Sequence, residues 1–265
     1  MKTGKDNWSL KDKVAIVTGG GRGIGQSIAE TLSSEGAWVV VADIDEGNAR
    51  AVARAINESG QQAMAVRCDV RDESQVQFLV QQAVDWGGGV DILINNAAIM
   101  RRGFVWSLPS KDFEELIQVN LIGPFYCIKQ CAPRMKERGG GVIINISSIH
   151  AFGTMEEMSA YATAKTGLIG LTRACAIDLG PWNIRVLAIC PGAVDAPMLH
   201  GDRPQEQIEV IRSQWARAAP LGCIVTPQEI AQLVAFLCTD KAPSMTGAAL
   251  LIDAGVAAHL RVRDL

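Results

Sequence analysis

Short apolar runs rich in β-branched residues recur along this chain, and stretches with helical spacing fill the gaps between them. The runs cover 14–17, 38–42, 63–66, 92–94, 142–146, 185–189 and 248–252. A continuously apolar strand is one covered on both faces, which points to a parallel sheet. Helical spacing covers about 24–35, 45–59, 73–86, 112–137, 159–179 and 227–239. Parallel neighbours need a crossover, and a helix is the usual one, so the alternation predicts an α/β, doubly wound domain. Caps agree with it: Thr226-Pro227-Gln228-Glu229 has the form of a capping box, and Gly36 and Gly60 follow helix ends. No linker, repeat or charge block divides residues 1–265, which predicts a single domain with its core over about 10–255. The stretch 197–218 breaks the alternation, contains the polar run HGDRPQEQ, and is expected to be a lid over the substrate.

The first strand runs into Thr18-Gly19-Gly20-Gly21-Arg22-Gly23-Ile24-Gly25, with a helix beginning there. The spacing is GxxxGxG rather than GxGxxG. Both answer one need: a tight turn, close backbone approach to a pyrophosphate, and a helix N-terminus facing an anion. The second strand ends at Asp43, placed to accept hydrogen bonds from the ribose hydroxyls of an adenosine. A 2′-phosphate there would meet a like charge, at a cost on the order of 4 kcal/mol for a 4 Å separation and an effective dielectric near 20. Arg22 pulls the other way, since a cation in this loop can reach a 2′-phosphate. The balance favours NAD, with NADP as the alternative.

Tyr161 and Lys165 stand i, i+4 on one helix face, and Ser147-Ser148 closes the fifth strand. Strand carboxyl ends converge on the crevice where such sheets bind ligands. A tyrosine acting as a base must lose its proton well below its ordinary pKa of about 10, and a nearby ammonium supplies the right sign of field.

Taken together, the TGGGRGIG loop, Asp69-Val70, Asn95-Asn96-Ala97-Ala98, Asn120, Ser148, Tyr161-x-x-x-Lys165 and Pro191-Gly192 resemble the short-chain dehydrogenase/reductase family over about residues 10–255. The resemblance implies one Rossmann-like domain with a seven-stranded parallel sheet, and a homotetramer or homodimer. It implies hydride transfer between a nicotinamide and a secondary alcohol or ketone. Tyr161 would be the general acid/base, and Lys165 would hold the nicotinamide ribose and lower the Tyr161 pKa. Ser148 would bond the substrate oxygen, and Asn120 would hold a water in a proton relay. The implied cofactor-binding set is Gly19, Arg22, Gly23, Ile24, Gly25, Asp43, Asp69, Val70, Asn96, Ala97, Tyr161, Lys165, Pro191, Gly192 and Val194. Asp69 and Val70 would bracket the adenine, and Asn95 would help hold the central strand and the cofactor. Three positions depart from the family pattern: Ala98 and Asn183 replace common glycines, and Ala196 replaces a threonine that commonly holds the carboxamide. Two rival readings stand beside this one, an NADPH-dependent biosynthetic ketoreductase and a catalytically silent NAD-binding regulator.

Composition removes other function classes. The net charge is −3, no basic cluster is present to attract nucleic acid, and no apolar run approaches the roughly 18–20 residues of a membrane span. Seven cysteines without CxxC spacing read as buried, reduced thiols, and the polar N-terminus has no secretory character, which together predict a cytoplasmic location. The three histidines lack ligand spacing, so no metal is assigned. Segment 149–158, between Ser148 and Tyr161, is expected to wall the substrate site. His150 would there offer a second polar contact and Met155 an adaptable apolar one, although His150 on an ordinary surface loop is an equal reading. Arg101 and Arg102 stand near the same mouth under the same alternative. Apolar residues on several faces of 112–137 and 159–179 call for cover by a second copy, and tail 259–265 would either reach that copy or fray.

Overall fold

The computed structural model describes residues 9–201 and 203–258. Tail 259–265 therefore lies outside the described residues. Strands β1 (Val14–Thr18), β2 (Trp38–Asp43), β3 (Ala63–Arg67), β4 (Ile92–Asn95), β5 (Gly141–Ile146), β6 (Ile184–Pro191) and β7 (Ala249–Ile252) form one parallel sheet in the order β3-β2-β1-β4-β5-β6-β7. The expected seven-stranded doubly wound sheet is what the chain builds. Alternate residues of each inner strand feed opposite layers. Ala15 and Val17 join α1 (Gly23–Ser34), α2 (Glu46–Glu58) and α9 (Pro227–Cys238) in one core. Val14 and Ile16 join α3 (Glu73–Gly87), α5 (Gly123–Glu137) and α6 (Ser159–Leu179) in the other. The two edge strands lack full cover: Arg67 of β3 is exposed, and Leu251 of β7 is 47% exposed.

The order in which strands are added reverses between the parallel neighbours β1 and β4, and the two strands are cross-linked there. The Thr18 hydroxyl donates to the Ile94 carbonyl at 3.1 Å and accepts from the Asn96 and Ala97 N–H groups at 3.1 and 3.2 Å. Past this link the strands' followers diverge, opening a crevice at the carboxyl edge.

The expected helix 112–137 is not one regular helix. It divides into α4 (Ser110–Ile117), a π-helical turn Gln118–Ile122, and α5. Pro124 has no N–H, so the Asn120 carbonyl loses its i+4 donor, and the extra residue of the π turn absorbs the break. Stretch 197–218 forms α7 (Pro197–His200) and α8 (Gln205–Ala218) rather than an irregular insert. Elsewhere the cap residues do what their types predict. Thr226 and Glu229 complete a capping box, and Gly36 and Gly60 follow their helices with φ of +94° and +85°. Asn183 takes φ +59°, a conformation Asn accepts more readily than most residues.

Helix α6 is tied to the sheet by a buried polar chain. Asn95 donates to Asn145 at 2.8 Å, Asn145 donates to Thr172 at 2.9 Å, and Thr172 donates to the Leu168 carbonyl at 2.8 Å. In a dry core these bonds fix rotation as well as distance, because a slipped helix would strand a buried amide. The expected part of Asn95 in holding the central strand is thus taken by its side chain, well inside the sheet.

Candidate active site

One cavity of about 890 Å³ occupies the crevice. Its floor begins at the glycine loop. Gly19 has φ +60°, and a Cβ on Gly25 would collide with the Gly19 carbonyl oxygen, so the turn closes on itself only without side chains. Asn96 clamps the loop from β4, donating to the carbonyls of Thr18 and Gly19 at 3.0 and 2.9 Å. Helices α2, α3 and α9 begin with side-chain caps from Asp45, Asp72 and Thr226. Helix α1 has none: Arg22 at its cap position makes no cap bond and no acid stands in its first turn. Gly23 and Ile24, whose N–H groups open that helix, line the cavity. An uncapped N-terminus at a cavity wall favours an anion.

Asp43 projects from the end of β2 to the same wall. Its Oδ2 accepts from Gly21 N–H at 2.9 Å and its Oδ1 from Asp45 N–H at 3.0 Å. Arg22 also lines the cavity but is exposed. Asp69 reaches the wall with its carboxylate already engaged: Arg71 donates to it at 2.6 Å and also bonds Glu115 at 2.9 Å. Hydrogen bonding from Arg71 holds the Asp69 carboxyl below its ordinary pKa. Val70 is buried beneath, close enough to Gly123 that a Cβ there would sit 2.8 Å from a Val70 methyl. On the far side Pro191, Gly192 and Val194 line the cavity. Gly192 N–H is tied to the Ile252 carbonyl at 2.9 Å, and Val194 bridges Val225. Ala196 is buried, and its successor Pro197 comes within 3.1 Å of where a Gly23 Cβ would be, so this segment closes over the glycine loop.

Ser148, Tyr161 and Lys165 come together where β5 meets α6, all three on the cavity wall and each less than a tenth exposed. Lys165 Nζ donates to the Ile146 carbonyl at 2.8 Å, and the Ser147 hydroxyl donates to the Lys165 carbonyl at 2.9 Å. Nζ stands 5.6 Å from the Tyr161 ring centre. The expected lowering of the phenol pKa is reversed in the protein by itself. Burial pushes Tyr161 up to about 12, against which the facing Ser148 hydroxyl pulls down, while burial brings Lys165 down to about 8. Desolvation penalises the charged form of each and is the largest cause of both shifts.

Asn120 lies behind the cavity wall. It does not line the cavity: its amide brackets Ile99, donating to the carbonyl and accepting from the N–H, both at 2.9 Å. The π turn and Pro124 leave the Asn120 backbone carbonyl without its regular i+4 helical donor.

His150 and Met155 lie on the cavity wall, as expected for segment 149–158. The His150 ring meets Tyr161 edge-on with 5.7 Å between centres, and its Nδ1 lies 2.9 Å from the Thr154 hydroxyl. Opposite stands 197–218, from which Met198, Ile211 and Trp215 face the cavity. Asp195 joins its two helices through one oxygen, 2.6 Å from His200 Nε2 and 2.6 Å from an Arg212 Nη. Sequence reasoning missed this latch and the cavity positions of Arg71, Glu115 and Arg203. Ion pairs between segments distant in sequence leave no local spacing to detect. Among the described residues, no group of histidine, cysteine or acidic side chains could hold a metal ion, and no helix is long and apolar enough to cross a membrane. All seven cysteines are free.

Comparison with known proteins places this geometry. Residues 19–257 match the family model described as Enoyl-(Acyl carrier protein) reductase. The chain belongs to the short-chain dehydrogenase/reductase family. It is 40% identical over 262 residues to a trans-4-hydroxycyclohexanecarboxylate dehydrogenase of Sinomonas cyclohexanicum, covering 96% of each chain. It is 38% identical over 248 residues to an uncharacterized oxidoreductase of Thermotoga maritima, covering 93% of this chain and 96% of that one. A solved 7 alpha-hydroxysteroid dehydrogenase, complexed with NADH and 7-oxo glycochenodeoxycholic acid, superposes with a TM-score of 0.89 at 37% identity, covering 94% of this chain and 96% of that one.

The Lys165 shift has a measurable consequence. Between pH 8 and 10.5 the unfolded chain keeps a proton that folded Lys165 has lost, so stability should rise with pH across this window, by at most about 3 kcal/mol for this group. Urea unfolding at pH 8 and pH 10 is expected to show that rise in the parent protein relative to Lys165→Met; identical pH dependence in the two would contradict the shift.

Proposed function

We propose that this protein is an NAD-dependent dehydrogenase or ketoreductase acting on a secondary alcohol or its ketone. The observation that carries the reading is the meeting of Ser148, Tyr161 and Lys165 on one wall of a cavity whose other end is an uncapped helix N-terminus beside Asp43. The residues fit a dinucleotide: the loop leaves no room for a Cβ at Gly25, and the α1 N–H groups suit its pyrophosphate. Gly19, Arg22, Gly23, Ile24, Asn96 and Ala97 would hold the phosphates and central portion. Asp43 would take the adenosine ribose, Asp69 and Val70 the adenine edge, and Lys165, Pro191, Gly192 and Val194 the nicotinamide end. Such a cofactor supplies the hydride chemistry when bound.

This chain's residues handle the oxygen and its proton. Ser148 donates a hydrogen bond to the substrate oxygen and keeps it next to Tyr161. The raised Tyr161 pKa suits donation of a proton to a carbonyl oxygen as that oxygen gains charge. The reverse direction needs the phenol proton removed, and Lys165, near neutrality in its own titration, is placed to relay it. The Asn120 carbonyl would hold the water that continues the relay. Segment 197–218, latched at Asp195, would act as the lid that excludes bulk water. The intact set of Ser148, Tyr161 and Lys165 favours an enzyme over a silent NAD-binding regulator. We further propose a cytoplasmic homotetramer. Its support is exposed apolar surface on the edge strand and outer helices, with Leu251 47%, Phe125 44% and Ile177 78% exposed.

Tyr161→Phe keeps the ring and removes the transferable proton. Turnover of secondary alcohols should fall by at least 100-fold while dinucleotide affinity stays within a few-fold; a variant within tenfold of the parent would overturn the assignment. For cofactor choice, kcat/KM with NAD should exceed that with NADP by at least tenfold, and Asp43→Ala should narrow the gap by freeing Arg22 to meet a 2′-phosphate. Equal use of both by the parent enzyme would favour the NADPH-dependent reductase instead. Light scattering at micromolar concentration should report about four times the 28.4 kDa chain mass, and a monomer would refute the assembly.

A further inference from the structure

Charge on the cavity wall is unevenly matched. Asp43, Asp69 and Glu115 are its acids. Asp43 accepts two backbone N–H groups at the end of β2. Asp69 and Glu115 share Arg71, and Glu115 also takes Arg101 at 3.1 Å. Among the cations, Arg22 lies at the glycine loop, Arg71 is paired, and Lys165 is buried against a carbonyl. Arg203 spends one Nη on the carbonyls of Leu199 and His200. Arg102 alone of these wall arginines on the substrate side has neither an ion pair nor a side-chain hydrogen bond among the described residues, although its neighbour Arg101 is neutralised.

Its place is fixed by the backbone. Gly103, the next residue, forms a β-bridge with Met158 and donates to the Glu157 carbonyl at 3.1 Å. Glu157 makes that bond at φ +66°, a conformation costly for a residue with a side chain. The bridge thus pins Arg102 beside segment 149–158, three residues from Tyr161 on the Met158 side. Its charge reaches His150, whose pKa burial lowers first and Arg102 lowers further. The cavity wall also presents Met100, Met155, Met158 and Trp215, with Gln214 as a further polar side chain.

We propose that the substrate carries a carboxylate separated from its reacting carbon by a compact apolar ring or chain, and that Arg102 selects it. This rests on the alcohol–ketone chemistry read above. One unpaired guanidinium matches one carboxylate through two parallel N–H bonds. His150 stands between the Arg102 charge and the Tyr161 ring and contributes a neutral polar contact.

The test uses the full-length enzyme with NAD and, separately, NADP, on trans-4-hydroxycyclohexanecarboxylate, its carboxamide and cyclohexanol. The carboxylate should exceed the carboxamide in kcat/KM by about tenfold or more, the worth of a charge-assisted bond. Arg102→Gln should erase that preference mainly through KM, and Arg101→Gln should keep it. Equal turnover of acid and amide, or a preference that survives Arg102→Gln, overturns the proposal. Should none of the three be turned over with either cofactor, the reaction assigned above fails for this ring. The anion site is then decided by calorimetric titration of cyclohexanecarboxylate and cyclohexanecarboxamide in the presence of the dinucleotide. Binding of the acid alone, lost in Arg102→Gln, sustains it; equal binding or none overturns it.

Discussion

A parallel sheet buried on both faces confines chemistry to the ends of its strands. Every inner strand here is apolar on both sides, and both layers of helices are packed against it. Polar groups that must meet a ligand can therefore emerge only where strands stop. At the carboxyl edge the reversal of strand order between β1 and β4 sends the following segments to opposite sides of the sheet. The Thr18 hydroxyl, bonded to three backbone groups of the 94–97 segment, keeps the two halves in register at the point where they part. Glycine loop, Asp43, Asn96, Ser148 and the 191–196 segment all leave from this edge, which is why one cavity collects them.

Burial then sets the chemistry of what is collected. Lys165 is held in an almost dry site by the Ile146 carbonyl, and Tyr161 beside it is equally enclosed. Water excluded from this corner raises the cost of both charges. The tyrosine therefore keeps its proton, and the lysine gives its own up at about 8, below its ordinary value. The price is rigidity: α6 must not rotate, and the Asn95–Asn145–Thr172 chain ties it to the two strands beneath. The substrate side is built on the opposite plan. Its wall is methionine, tryptophan and a segment latched by a single carboxylate oxygen, a surface able to adapt to differing substrates.

Much of this was legible in the residues. Strand positions followed from apolar runs, because a two-sided strand has no polar face to disguise it. Helix starts at Thr226 and stops at Gly36 and Gly60 followed from local hydrogen bonding that needs no tertiary partner. The Tyr161–Lys165 spacing foretold a shared helix face. The π turn was not legible, although Pro124 marks it, because a helix with proline inside can kink, break or widen, and packing of Gly123 against Val70 decides which. Nor was the bridging of Asp69 and Glu115 by Arg71, whose second partner is 44 residues away.

By itself, then, the sequence determined the fold class, the loop that suits a pyrophosphate, and the shared helix face of Tyr161 and Lys165. Each of these depends on neighbours within a few positions, where covalent geometry and helical or strand period govern. Only the tertiary structure decided the direction of the Tyr161 shift, the use of the Asn120 amide on Ile99, and the unpaired state of Arg102. These turn on desolvation and on which charges meet across the fold. Both are properties of distance in space, and separation along the chain does not encode them.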